Sequence, residues 1–260
     1  GRMTGRENIT DILCIGCQKG STSWLHSVVN CHPGTAAFPD REPQTSTNKE
    51  AHFWDWNHDR GVEWYRDLMA QDPALLTMDF TPEYAMMSDA QIAECKALNP
   101  SATVIYILRD PLVRAVSAIR MHMLWHLGKD HRDPLVMDDR FWLFFRDAMV
   151  VRHNHYLRNV RAWRAAYPDL VLLNYEAFHN DRAASVSALF DRLGLDRSAI
   201  TGASAERLAR LMAGRIWVSE PFPIDRSVLM FLHGLTWRTR QEARDELGMA
   251  FGEFTRLLDG

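Results

Sequence analysis

The six residues Thr103-Val104-Ile105-Tyr106-Ile107-Leu108 form an unbroken apolar run, rich in β-branched side chains, that stops at Arg109-Asp110-Pro111. A strand without polar alternation is buried on both faces, which is the condition of a parallel sheet covered by helices on each side. The next element is equally legible. Asp110 is placed to cap a helix, Pro111 suits its first position, and Val113, Val116 and Ile119 supply much of an apolar face on the way to about Leu127. The N-terminal region repeats the pattern: a strand-like run at 9–15, a turn, then Trp24, Leu25, Val28 and Val29 at helical spacing. Further strands are expected at 35–38, 75–80 and 170–175, an amphipathic stretch at 64–69, and helices at 88–98, 140–166, 181–193 and 204–213. Strands alternating with helices imply an α/β fold, a single domain with a mostly parallel sheet flanked by helices.

The first turn, Gly16-Cys17-Gln18-Lys19-Gly20-Ser21-Thr22-Ser23, gathers a lysine, glycine and three hydroxyls between a strand and a helix. Backbone N–H groups and the positive end of the helix dipole converge there, and Lys19 adds a full charge. The turn therefore reads as a cradle for phosphate or phosphosulfate. It is not a Walker A loop, whose lysine follows the second glycine; here Lys19 precedes Gly20. Two other readings compete: an ordinary strand-to-helix turn with a surface lysine, and a redox or metal-binding pair in Cys14-Ile15-Gly16-Cys17. The cysteine pair is disfavoured because Cys14 falls inside the strand and Cys17 at its end.

Ligands of parallel sheets bind beyond the carboxyl ends of the strands, and Arg109 falls at such an end. On the following helix Arg114 and Ser117 are three apart and share a face, so Arg109 with a serine hydroxyl makes a second phosphate clamp. The alternative is an arginine that caps, or pairs with a carboxylate such as Asp110. Two anion sites at the ends of neighbouring strands call for a ligand with two separated anionic groups.

No Pro/Gly/Ser-rich linker or internal repeat divides the 260 residues. Residues 1–9, with Gly1-Arg2 before Met3, read as a tag remnant and N-terminal tail, and 10–260 as the domain. With 30 basic and 33 acidic residues well mixed, a net charge of -3 points to no nucleic-acid or membrane surface, so anion binding is local. No apolar run approaches a membrane span. Four cysteines, Cys14, Cys17, Cys31 and Cys95, do not resemble a disulfide framework and suggest a reducing, cytoplasmic compartment.

Four segments together carry a resemblance. They are Gln18-Lys19-Gly20-Ser21-Thr22, the block Lys49-Glu50-Ala51-His52-Phe53-Trp54-Asp55, the segment Asp79-Phe80-Thr81-Pro82-Glu83-Tyr84, and Ile107-Leu108-Arg109-Asp110-Pro111 with Ser117. Their order and spacing resemble the sulfotransferases that use 3'-phosphoadenosine 5'-phosphosulfate (PAPS), most of all the heparan sulfate type, across roughly the first half of the chain. The resemblance implies a P-loop-like sulfotransferase fold. It also implies transfer of a sulfuryl group from PAPS to a hydroxyl or amine of a small molecule or glycan, leaving 3'-phosphoadenosine 5'-phosphate (PAP). By the same resemblance Gln18, Lys19, Gly20, Ser21, Thr22 and Ser23 hold the 5'-phosphosulfate, Arg109 and Ser117 hold the 3'-phosphate, and no metal is required. Lys19 would stabilise the leaving phosphate oxygen. Glu50 is the implied base and His52 the alternative; in an extended segment the two point to one side.

The chain also departs from that family. Phe80 stands where a lysine is usual, a C-terminal cysteine pair is absent, and no basic-glycine nucleotide loop is evident near the C-terminus. Trp237-Arg238-Thr239-Arg240 is the candidate replacement, with Arg238 as donor ligand. These departures weaken the case for a highly sulfated polysaccharide and set a neutral or apolar alcohol, a phenol or a small glycan level with it. His122, His126, His153 and His155 lack the partner carboxylate or HExxH pattern of a metal site. Tryptophans near Glu50, such as Trp54 and Trp56, are candidates to stack on an acceptor. Two other functions stay open: a P-loop-like small-molecule kinase, which needs a magnesium-holding carboxylate, and a PAP-binding or PAPS-binding module without catalysis.

Overall fold

The computed structural model describes residues 6–215 and 222–259. The tag remnant read at Gly1-Arg2 lies outside the described residues. Five strands, β1 (Ile12–Gly16), β2 (Thr35–Ala36), β3 (Leu76–Asp79), β4 (Thr103–Leu108) and β5 (Val171–Asn174), form one parallel sheet in the order β2-β3-β1-β4-β5. Between them run α1 (Thr22–Val29), α2 (Val62–Leu68), α3 (Asp89–Leu98), α4 (Pro111–Leu127), α5 (Asp139–Asp147), α6 (Val150–His153) and α7 (Tyr156–Ala166). After β5 come α8 (Tyr175–Asn180), α9 (Arg182–Arg192), α10 (Gly202–Ala213), α11 (Arg226–Leu247) and α12 (Phe254–Leu258).

β1 is buried along its whole length, and its side chains alternate between two cores. Leu13 and Ile15 join Tyr65, Tyr84 and Trp163, whereas Ile12 and Cys14 join Leu25, Val28, Phe178 and Phe190. Just before β1, Asp11 ties the strand to its neighbour, its carboxylate accepting from the Thr77 N–H at 2.9 Å. From β1 the chain runs outward to β2, returns through β3, and then crosses to β4 and β5. The reversal opens a crevice beyond the carboxyl ends of β1 and β4. There the Cys17 N–H still donates to Ile107 O at 2.7 Å, holding the first turn against β4.

α4 matches its expected bounds, with the Asp110 carboxylate accepting from the N–H groups of Leu112 and Val113 at 3.0 and 3.4 Å. The continuous helix expected at 140–166 is instead α5, α6 and α7. Met149 takes a left-handed conformation (φ 47), and the Asn154 side chain turns inward, accepting from Arg114 Nε at 2.7 Å and donating to Pro111 O at 3.2 Å. Trp237–Arg240 belongs to α11 and is not a loop. No helix of the described residues is long and apolar enough to cross a membrane.

Candidate active site

The turn after β1 places two non-glycine residues, Lys19 (φ 66) and Ser21 (φ 65), in the left-handed region, a strain of roughly 1–3 kcal/mol each. Gly20 between them is required by space, since a Cβ there would meet Cys17 Sγ at 2.8 Å and Cys17 O at 3.0 Å. The tight reversal starts α1 without a side-chain cap and leaves its first N–H groups for a ligand. Lys49 Nζ donates to the hydroxyls of Thr22 (3.3 Å) and Ser23 (2.8 Å). Ser21 turns to His179 Nε2 at 3.0 Å, and Gln18 is buried with Oε1 unpartnered. Burial, then the charges of Arg109 and Lys49, lower the proton affinity of Lys19, so three cations crowd one corner of the cleft. Lys49 and His179 were not anticipated as site residues; the adjacency of Lys49 to Glu50 was the available signal. Cys14 and Cys17 are both free and buried, and burial raises the proton affinity of both thiols, which disfavours the reactive thiolate.

Arg109 extends from the end of β4 and donates from Nη1 to Lys19 O at 2.8 Å, tying the two anion-binding elements together. Its Nε and Nη2 reach Glu253 at 3.2 and 3.0 Å, and its guanidinium lies 4.3 Å from the Tyr175 ring centre. The carboxylate pairing considered for Arg109 therefore occurs, with Glu253 in place of Asp110. Ser117 lines the same cleft, whereas Arg114 is buried beneath it against Asn154 and Val150 O. Arg238 does not join them: it is exposed on α11, pairs with Glu242 at 2.8 Å and does not line the cleft. Arg240 is the member of that segment that turns inward, to Asp110 at 3.3 Å.

On the other side of the cradle, Glu50 Oε1 accepts from Lys49 Nζ at 2.9 Å and Oε2 from His52 Nε2 at 3.2 Å. His52 Nδ1 donates to Asp55 Oδ2 at 2.8 Å. Glu50 and His52 do meet, through a left-handed turn at His52 (φ 49) and not through an extended segment. The Asp79–Tyr84 segment scaffolds this turn. Asp79 accepts from the Ala51 N–H, Thr81 Oγ1 from the His52 N–H and the Tyr84 hydroxyl from the Phe53 N–H, at 3.1, 3.2 and 2.8 Å. Phe80 faces the core, edge-on to His26 at 5.1 Å, and supplies nothing to the cleft.

Burial by itself would lower the proton affinity of His52, but its hydrogen bonds to Asp55 and Glu50 and the Glu83 charge raise it to about 10. The ring is then an imidazolium at neutral pH, with no lone pair to take an acceptor proton. Burial would raise Glu50, yet the hydrogen bond from His52 and the Lys49 charge draw it down to about 2. Ligand-type atoms of His52, Asp55 and Glu83 lie within 4.8 Å of one another, with His52 and Asp55 already joined by the 2.8 Å hydrogen bond.

These groups line one cleft of about 1270 Å³, whose further wall includes Trp125, His122, Met149 and Arg152. The volume exceeds that of a pocket for one drug-sized ligand and suits a nucleotide beside an acceptor. Trp54 is core, while one face of Trp56 stacks on His52 at 3.4 Å.

A family model described as the sulfotransferase domain matches residues 9–212. Human heparan sulfate glucosamine 3-O-sulfotransferase 3B1 is 26% identical over 198 residues, covering 75% of this chain and 48% of that protein. Human heparan sulfate glucosamine 3-O-sulfotransferase 6 is 27% identical over 202 residues, covering 74% and 54%. The chain thus spans about half the length of these curated relatives. Among solved structures, a sulfotransferase from Alicyclobacillus acidocaldarius superposes with a TM-score of 0.62 at 14% identity, covering 95% of this chain and 99% of that one. Mouse sulfotransferase SULT7A1 complexed with PAP gives 0.50 at 16% identity, covering 97% and 89%. At these identities the structural likeness establishes the fold.

Proposed function

The chain belongs to the sulfotransferase domain family, and on that premise we propose that it moves a sulfuryl group from PAPS to a hydroxyl or amine of a glycan or small molecule. The observation that carries this reading is the bond from Arg109 Nη1 to Lys19 O, which joins two anion-binding elements at the ends of adjacent strands. A donor with two anionic ends fits such a pair, and the mouse relative solved with PAP holds the matching nucleotide.

In this assignment the free N–H groups of α1, with Thr22, Ser23 and Lys49, hold the 5'-phosphosulfate, while Arg109 and Ser117 take the 3'-phosphate. The donor supplies an activated sulfuryl group. Lys19 neutralises charge on the phosphate oxygen that leaves, and it is already deprived of much of its hydration. Glu50, held between Lys49 and His52 at the cleft, takes the proton of the acceptor hydroxyl as the base. His52 serves as the fixed cation that holds Glu50 and Asp55. The kinase reading is less well served, since the carboxylate nearest the cradle, Glu50, is engaged by two cations. We treat 10–260 as one domain and place it in a reducing, cytoplasmic setting, in keeping with its four buried free thiols.

Radiolabelled PAPS incubated with the protein and a panel of heparan sulfate oligosaccharides, glucosamine, a phenol and an aliphatic alcohol tests the reading. Label should pass to at least one acceptor, and calorimetry should show PAP binding without magnesium. PAP binding with no transfer to any acceptor would favour a binding module, and tight magnesium–ATP binding in its place would favour a kinase.

A further inference from the structure

An acceptor has to reach Glu50, so its surface is the stretch of cleft that runs from the 50–56 turn to the far half of α4 and to α6. Of the large apolar side chains exposed among the described residues, Trp56 (55%) and Trp125 (67%) are the two that line the cleft. His52 stacks on one face of Trp56 at 3.4 Å, and His122 meets Trp125 edge-on at 4.8 Å, so each indole is held on one side and bare on another. Two indoles left in water forfeit a large hydrophobic gain, which a ligand that covers them recovers. Met121 and Met149 line the same stretch, and their flexible thioether side chains mould to apolar bodies of varied shape.

A polysulfated chain needs a surface with cations to spare, and this one has its charges balanced. Lys49, Glu50, His52 and Asp55 form one closed chain of opposite charges, and Asp147 pairs with Arg146 at 3.2 Å. The other charged groups of the stretch, Arg152 and Glu83, are opposite in sign. Burial lowers the proton affinity of His122, which is therefore neutral at pH 7. Arg215 also lines the cleft, but beside Trp24 and Leu211, where α1 meets α10. Phe80, standing where the resemblance calls for a lysine, is turned into the core against His26.

We propose that the acceptor is an uncharged hydroxyl compound with a flat aromatic body, and that Trp56 and Trp125 are the platforms that select it over a sulfated glycan. This rests on the sulfotransferase reading above and narrows it. The aromatic body lies against the indoles and its hydroxyl is directed at Glu50. In the step the acceptor oxygen bonds to sulfur and its proton passes to the Glu50 carboxylate. The bond from sulfur to the 5'-phosphate oxygen breaks, its electron pair stays on that oxygen beside Lys19, and the products are an aryl sulfate and PAP.

The test compares naphthol, methyl glucoside and a heparan sulfate oligosaccharide as acceptors from radiolabelled PAPS, in wild type, Trp56→Ala, Trp125→Ala and Trp125→Phe. Calorimetry with the same three compounds and the protein saturated with PAP reads acceptor binding without turnover. Naphthol should give the highest kcat/KM, with the oligosaccharide lower by roughly tenfold or more. Trp56→Ala and Trp125→Ala should each raise the KM for naphthol about 2- to 10-fold, with PAP affinity unaltered. Trp125→Phe should restore most of the loss, and neither Trp125 variant should melt below wild type, which a merely structural role would require. An oligosaccharide or glucoside used as well as naphthol, or a naphthol KM and affinity unmoved in Trp125→Ala, would overturn the assignment while leaving the sulfotransferase reading intact. Transfer to none of the acceptors would overturn that reading and this one with it.

Discussion

Glu253 forks onto Arg109, with Oε1 3.2 Å from Nε and Oε2 3.0 Å from Nη2. A carboxylate in that position mimics one edge of a phosphate, so a nucleotide that uses Arg109 has to displace Glu253 or share the guanidinium with it. Glu253→Ala should therefore tighten PAP binding several-fold. Arg109→Ala should weaken it roughly 10- to 100-fold, as expected for a lost charge-assisted hydrogen bond. Isothermal titration with PAP measures both, and an unaltered dissociation constant in Arg109→Ala would remove it from the donor site.

Lys19 and Lys49 should separate kinetically. Lys19→Ala is expected to lower turnover by about 100-fold or more with a smaller loss of donor binding, because its charge matters most as the phosphate oxygen leaves. Lys49→Ala should impair donor binding as well, since Lys49 holds the Thr22 and Ser23 hydroxyls together with Glu50. Steady-state kinetics paired with PAP titration distinguishes the two; equal kcat and Kd effects in both variants would contradict the division.

Gly20→Ala should distort the cradle. The added methyl would meet Cys17 Sγ at 2.8 Å and Cys17 O at 3.0 Å, one of them backbone. Overpacking of this kind costs about 1–3 kcal/mol. Thermal melting should fall by a few degrees, and PAP affinity should drop with it; a variant that melts and binds like wild type would show that the turn relaxes freely.

His52 makes stability depend on pH in a stated direction. Its proton affinity is raised from 6.5 to about 10, so its contribution is complete below 6.5 and is lost as pH rises through 10. Wild type should lose melting temperature across that alkaline window, and His52→Gln should lose less. Melts over a pH series check this, and parallel curves for the two proteins would exclude His52 as the source.

Much of the scaffold was legible because it is local. β4 and α4 coincide with the run 103–108 and its Asp-Pro start, whose burial and capping are written in consecutive residues. The break at Met149 was not legible, because it depends on Asn154 being drawn to Arg114 and Pro111, contacts 40 and 43 residues apart. α11 was missed for a related reason: Arg240 reads as a loop cation until Asp110, 130 residues away, is seen to receive it. In the site, the cradle and the Glu50–His52 pair were readable as short motifs. Lys49, Glu83 and Glu253 acquire their meaning from partners brought by tertiary folding, with Glu253 lying 144 residues from Arg109.

Trp56 lies nearly parallel to His52, 10° between the rings and 3.4 Å between their centres. A cationic ring so close to an excited indole accepts its electron and quenches emission. The pair is thus a native optical gauge inside the cleft. Because nine tryptophans share the spectrum, the difference in emission between wild type and Trp56→Phe reports, without any label, whether the ring pair stays in place as nucleotide and acceptor arrive.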